Sequence, residues 1–331
     1  MTASNRTPAT APAEVAKGLR SSKGAKPDAA FRYAAVGAGI TVLVILALIT
    51  WSTTRSAWPA FSKYGTGYFF SQDWRPNQKH FGILGFAWGT AVISLIGVVL
   101  AVPVSIGIAL FATEVAPKRL RRSITTTMDL LASVPSVVFG LVGFYVLRGP
   151  LQDLFRSVGD AVAGIPVLHQ VFGQGSAGIS LLTAGIVLAI MITPIITTVA
   201  REVFETVPRN DKEGALALGA TRAEMIGGVV LPHSLGGLTG AVMLGLGRAM
   251  GETIAVTLLI GGASNPKVTA NILGPGDAMP SAIARRLAEA SGDYRAALIG
   301  LGVTLFVITM LVNIGSRRLV DVVDRRLKGA A

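Results

Sequence analysis

The chain has 331 residues, of which 51% are apolar and 15% charged, and its formal net charge at neutral pH is +12. A soluble domain carries roughly a quarter charged residues, so this composition excludes an ordinary soluble globule and indicates a polytopic membrane protein. The absence of cysteine excludes disulfide frameworks and thiolate metal sites, and His80, His169 and His233 are too scattered for a metal cluster. The positive charge does not indicate nucleic acid, because lysine and arginine concentrate in the tails and in alternate loops, the pattern of membrane topology and lipid headgroup contact.

Residues 1–30, rich in Ala, Thr, Ser, Pro and Lys, are expected to form a disordered tail. The apolar run that follows is long for a secretory signal and lacks a small-x-small cleavage pattern, so it reads as an uncleaved first span. Six apolar runs, at 33–51, 84–111, 124–147, 179–200, 236–262 and 296–316, can each cross about 30 Å of hydrocarbon as a helix. The predicted fold class is all-α, with six transmembrane helices. Nineteen of the thirty lysines and arginines lie in the N-terminal tail, the loops 118–122 and 201–234, and the C-terminal tail; the other three loops hold ten. The richer side is expected to face the cytoplasm, with both termini inside. The predicted organisation is a cytoplasmic tail over 1–30, a first transmembrane helix and external aromatic loop over 31–83, a transmembrane domain over 84–318 with a cytoplasmic coupling loop at 201–235, and a cytoplasmic tail over 319–331.

The external stretch 58–81 holds Trp58, Phe61, Tyr64, Tyr68, Phe69, Phe70 and Trp74. It reads as an interfacial aromatic belt, with a docking surface as the sharper alternative. Residues 148–177 and 263–295 are also expected outside. Within the latter, 281–290 suits a short helix whose Arg285 and Arg286 read as a solvated face, the alternative being contact with an anion or partner. Pro103, Pro135 and Pro194 fall inside the second, third and fourth spans, and each removes a backbone hydrogen bond. Ser133, Ser136, Thr193 and Thr197 beside these kinks either line a pathway or satisfy the released carbonyls.

Between the fourth and fifth spans the chain is too polar to cross. Ala215, Leu216 and Leu218 suit a short helix that ends at Gly219. Thr221 is placed as an N-cap with Glu224 as its capping-box partner, and Pro232 ends that second helix or restarts the chain as the next span. Two short helices at a right angle make a compact cytoplasmic knob. This segment resembles the EAA loop of ABC-importer permeases, E-A-A-x3-G-x9-I-x-L-P: Glu213, Ala215, Gly219, Leu231 and Pro232 match, while Gly214 and Val229 replace an alanine and an isoleucine. The resemblance implies a type I ABC-importer permease fold, and a loop seated in a groove of a cytoplasmic ATPase subunit. The chain itself has no G-x4-G-K-[ST] phosphate-binding loop, so ATP would be used by another polypeptide, and no cofactor is expected on this chain.

Arg248 and Glu252 stand one helical turn apart in the glycine-rich fifth span. A charge at mid-membrane costs about 2.5–3.5 kcal/mol and marks function by default. Arg248 lies twelve residues beyond Gly236, or about 18 Å along a helix. A guanidinium offers a fork of paired donors suited to a tetrahedral oxyanion. Glu252 is expected to pair with Arg248 at i, i+4 when the site is empty, or to accept from a protonated oxyanion, with Thr253 as a neutral donor. A structural ion pair between spans is the alternative. The glycine pairs Gly236/Gly240 and Gly247/Gly251 permit close backbone approach.

Residues 247–253 (Gly-Arg-Ala-Met-Gly-Glu-Thr) and 133–140 (Ser-Val-Pro-Ser-Val-Val-Phe-Gly) resemble the signatures of phosphate ABC permeases, as do 81–90, 101–103 and 111–117. Over residues 80–320 the arrangement is more similar to the PstC-type subunit than to its PstA-type partner. The resemblance implies phosphate import across a bacterial plasma membrane, with a PstA-type second permease, a PstB-type ATPase dimer and a PstS-type external binding protein. Three other readings compete. A stand-alone secondary transporter would leave the coupling loop without a role, and no inverted repeat is evident. A membrane enzyme would need a converging catalytic constellation. A sulfate or molybdate permease differs only at the two signatures. The predicted pathway residues are Arg248, Glu252, Thr253, Ser133 and Ser136; the predicted coupling residues are Glu213, Gly214, Ala215, Gly219, Leu231 and Pro232.

Overall fold

A computed structural model describes residues 25–172 and 177–328. The expected tail 1–30 lies outside the described residues as far as residue 24, as do 329–331. The chain forms two units, Met1–Ser52 and Thr53–Ala331, and each is described by itself. Among the described residues six helices are long and apolar enough to cross a membrane: Ala30–Phe70, Leu84–Val115, Ser136–Ala161, Leu181–Glu205, Arg222–Gly251 and Gly292–Arg318.

Helix α1 (Ala25–Phe70) begins earlier and ends later than the span expected at 33–51, with a break in helical geometry at Gly65. Its apolar side chains from Phe31 to Trp51 are exposed, the surface that hydrocarbon would cover. Most of the predicted aromatic loop is thus helical. The remainder is a short hairpin, β1 (Trp74–Arg75) against β2 (His80–Phe81), whose turn closes with Lys79 in the left-handed region at φ 54°. The belt expectation fails for two of its seven residues. Tyr68 and Trp74 are buried with Phe81 and Phe86, Trp74 packs edge-on against both phenylalanines, and the Tyr68 hydroxyl donates to the Ala297 carbonyl at 2.7 Å. Trp58 and Phe70 remain exposed. The buried rings form a second core with Met279, Leu298 and Leu301.

Helix α2 (Leu84–Leu110), extended by a wider π-type turn over Phe111–Val115, packs along α7 (Leu181–Glu205). The two backbones approach closely at Gly185, where a Cβ would stand 2.5 Å from Ile96 Cγ2. Buried Ile93, Leu188, Ile192 and Ile196 fill the seam. Near the Pro194 kink, the Thr193 hydroxyl donates to the Ala189 carbonyl at 2.7 Å, and Ser105 donates to the Thr193 carbonyl at 3.1 Å. Thr197 is buried, and its hydroxyl has no partner among the described residues.

The third span is displaced from its predicted place. Instead of one helix over 124–147, α3 (Lys118–Ser133) is a separate amphipathic helix, Val134 and Pro135 are extended, and the chain restarts as α4 (Ser136–Val142). A π-type turn over Gly143–Leu147 leads into α5 (Arg148–Ala161). Pro135 enforces the break, because it cannot donate and pushes the preceding residue to extended geometry. A short α6 (Pro166–Phe172) follows. The last helix, α13 (Gly292–Lys328), runs through most of the segment expected to be a tail; the elements between are described with the site.

Candidate functional site

The fifth span is two pieces. Helix α10 (Leu231–Gly251) carries Arg248 in its last turn, Glu252 is extended (φ −68°, ψ 128°), and α11 (Ile254–Leu259) begins two residues later. The expected i, i+4 pair between Arg248 and Glu252 does not form. With its backbone out of the helix, buried Glu252 turns forward, and its Oε1 accepts from the Ala255 amide at 3.2 Å, satisfying one of the free donors of the new helix. The Thr253 hydroxyl donates to the Gly251 carbonyl at 3.2 Å, and the Thr253 carbonyl accepts from the Thr257 hydroxyl at 2.7 Å.

Arg248 is exposed to a cleft of about 730 Å³, lined also by Ile195, Thr239, Met243, Asn313 and Arg317. Among the described residues its guanidinium has no ion-pair partner. The glycines of α10 divide between two faces. Gly237 and Gly245 pack against Val203 and Ile196 of α7, whereas Gly240, Gly247 and Gly251 have open space where a side chain would begin. The glycine-lined face carrying Arg248 is therefore accessible to a solute or to another backbone.

The second break lies alongside the first. Helix α4 packs on α11 so closely that a Cβ on Gly140 would stand 2.8 Å from Ala255 Cα, and Gly143 meets Leu259 one turn on. Carrying that register back one turn sets half-buried Ser136 at the level of Glu252 and Thr253. Ser133 ends α3 instead, exposed, with its hydroxyl donating to the Leu130 carbonyl at 2.7 Å.

The segment between the fourth and fifth spans folds as its chemistry demands. Helix α8 (Arg209–Ala217) ends at Gly219, whose φ of 90° suits glycine. Thr221 caps α9 (Arg222–Met225): its hydroxyl accepts from the Glu224 amide at 3.3 Å, and Glu224 Oε2 accepts from the Thr221 amide at 2.7 Å. A π-type turn over Ile226–Val230 joins α9 directly to α10, with Pro232 in the first turn of α10. Met225, Val230, Phe204 and Val207 form a small core on which half-buried Ala215 packs. Glu213 and Gly214 are exposed, and Leu218 at the tip is 92% exposed, an unusual position for an apolar side chain with nothing to cover it.

Between the fifth and sixth spans, residues 263–278 fold back on the helices, the Ile272 carbonyl accepting from the Leu182 amide at 2.9 Å and the Gly276 amide donating to the Ile260 carbonyl at 2.9 Å. Asp277 is fully buried there, and α12 (Met279–Arg286) follows. Arg285 and Arg286 are not the solvated face expected. Both guanidiniums donate to Asp277 Oδ2, that of Arg286 at 3.0 Å, and the Ala278 amide donates to Oδ1 at 2.9 Å. Burial pushes the Asp277 carboxyl above its ordinary pKa, against the pull of the two arginines.

Residues 101–329 match the family of binding-protein-dependent transport system inner membrane components. The chain belongs to that family. It is 40% identical to the phosphate transport system permease protein PstC of Mesorhizobium japonicum, over 90% of this chain and 91% of the relative. To the PstC 2 protein of Mycobacterium tuberculosis it is 38% identical, over 94% and 96%. The resemblance to PstC-type permeases noted in the sequence is borne out. Among solved structures, an ABC importer of alginate superposes with a TM-score of 0.52 at 18% identity, covering 89% of this chain and 98% of that one. An inward-facing methionine ABC transporter, MetNI, superposes with a TM-score of 0.51 at 18% identity, covering 72% and 94%. The fold is that of an ABC-importer permease, a multi-pass membrane subunit.

Two pairings of this permease were invisible to sequence reasoning. Glu114 and Lys212 meet across 98 residues of chain, and Asp277 finds its arginines from a buried turn.

Proposed function

We propose that this chain is the PstC-type subunit of an ATP-driven phosphate importer and forms half of its translocation pathway. The observation that carries the reading is Arg248, held without an acidic partner among the described residues, on an open glycine face where the fifth span breaks. A fixed cation inside the bilayer is retained against a cost of about 2.5–3.5 kcal/mol, and an anionic cargo supplies the compensation. The relatives' names point to phosphate as that cargo. Breaks in facing spans are the usual construction of a mid-membrane ion site.

The same reading supplies the partners. A PstA-type permease faces the open side of α10 and completes the pathway. A PstB-type ATPase pair uses the ATP and receives the knob through Glu213, Gly214, Ala215 and Gly219, with exposed Leu218 entering its groove. A PstS-type binding protein delivers phosphate from outside. The excess of lysine and arginine in the tails and alternate loops supports a cytoplasmic position for both termini.

The test is uptake of radiolabelled phosphate into vesicles holding this chain with its three partner types. Arsenate should compete and sulfate should not; competition by sulfate or molybdate alone would assign the pathway to another oxyanion. Glu213→Lys should release the ATPase pair while leaving insertion in the membrane intact. Undiminished co-purification would refute the docking role of the knob.

A further inference from the structure

The cytoplasmic knob is joined to the spans by more than its own chain. Lys212, on α8, reaches back to Glu114 on the turn that ends the second span, Nζ to Oε1 at 2.6 Å, and donates as well to the Phe204 carbonyl at 3.3 Å. Both side chains are largely withdrawn from water, at 17% and 8% exposure. Beside them Arg121, on α3, donates to the Ala112 and Thr113 carbonyls, the first at 2.6 Å, and so fixes the turn from which Glu114 projects. Lys212 therefore touches the end of the second span and the end of the fourth at once, one residue before Glu213.

Resting on the reading that the knob docks on an ATPase, we propose that Lys212 and Glu114 are positioning residues for transport, forming the strut through which movement of the knob reaches the second and fourth spans. The geometry distinguishes this path from the covalent one. Through the chain, α8 is tied to α7 by the bend at Thr206–Pro208 and to α10 by α9 and a π-type turn, joints that can absorb displacement. An ion pair of small exposure between side chains on two helices resists both separation and sliding, because a partner left behind would keep a charge with little water. The second span packs along the fourth, and the fourth packs on the Gly237 and Gly245 face of α10, the helix that also carries Arg248, so motion delivered at Glu114 and Phe204 arrives at the helices bordering the cleft. Glu213 makes contact with the ATPase in this scheme, and Lys212 passes the displacement on.

The experiment uses the whole importer in proteoliposomes, measuring ATP hydrolysed and phosphate accumulated in the same sample. With Lys212→Met or Glu114→Gln the ATPase pair should still co-purify and hydrolysis should continue, while phosphate accumulated per ATP falls about tenfold, a typical coupling loss between linked sites. Lys212→Arg should restore the ratio, since a guanidinium can span the same gap. An unchanged ratio in both neutral variants overturns the proposal. So does a parallel fall of hydrolysis and uptake with loss of the ATPase pair, which would make the contact a docking or folding element. If the native complex accumulates no phosphate, the proposed function fails first, before any variant is compared.

Discussion

The Glu252 carboxylate accepts a hydrogen bond from the Ala255 amide at 3.2 Å, and thereby leaves Arg248, four residues earlier, facing an open cleft. Replacing Glu252 by alanine removes the acceptor at the start of α11 and should lower stability by about 0.5–2 kcal/mol, the range for a lost cap. Glutamine keeps an acceptor oxygen and should lose less, while removing the negative charge near the cation. Thermal unfolding of the purified complex separates the two effects from uptake. Equal destabilisation by alanine and glutamine would show that the cap is not what the side chain provides.

Arg248 offers both charge and a planar fork. Arg248→Gln removes both and should abolish phosphate uptake with the ATPase pair still bound. Arg248→Lys keeps a point charge but forfeits one of two parallel bonds. A hydrogen bond to a charged group contributes about 1.5–3 kcal/mol, so transport efficiency should fall roughly tenfold to a hundredfold. Initial uptake rates over a range of phosphate concentrations provide the check. Native rates in the glutamine variant would remove this residue from the pathway.

Hydropathy was sufficient to find six spans, and the spacing of Thr221, Glu224 and Gly219 was sufficient to find the knob, because caps and glycine turns are local. The breaks were harder. An apolar run interrupted by Pro135 can kink or restart; here Val134 and Pro135 are extended and the chain restarts as α4. The signal lay in Thr125, Thr126, Thr127 and Asp129, which fill the first turns of the run 124–147 and are too polar for a lipid-facing span. At residues 251–253 the i, i+4 spacing of Arg248 and Glu252 resembles an intrahelical pair, and nothing local announces that Glu252 leaves the helix. Partners far apart in sequence, such as Glu114 with Lys212, depend on how helices stack and are silent in one sequence.

Gly219 holds φ at 90° with open space around it, so a substitution there acts through the backbone alone. An L-residue in left-handed geometry costs about 1–2 kcal/mol, less for asparagine. Gly219→Val should tilt α8 away from α9 and reduce the ATPase recovered with the complex, whereas Gly219→Asn should retain most of it. Affinity purification through a tag on this chain, with the ATPase quantified, gives the comparison. Full recovery with valine would mean that the turn tolerates other geometries and does not set the docking angle.

Asp277 holds two arginines at the base of the loop 263–278, and its own side chain is inaccessible to water. The two sides of this cluster are unequal. Asp277→Asn leaves both guanidiniums, 29% and 18% exposed, facing each other without a counter-charge, and loss of one member of a buried pair typically costs about 3–5 kcal/mol. Arg285→Gln leaves Asp277 bonded to Arg286 and to the Ala278 amide, so the carboxylate keeps a cation and the loss should be much smaller. The same ranking should appear in proteolysis of the loop 263–278, with Asp277→Asn cut fastest, because this cluster joins the loop to α12. Equal sensitivity of the two variants would indicate that the loop depends on the Asp277–Arg285 pair alone and that Arg286 does not compensate.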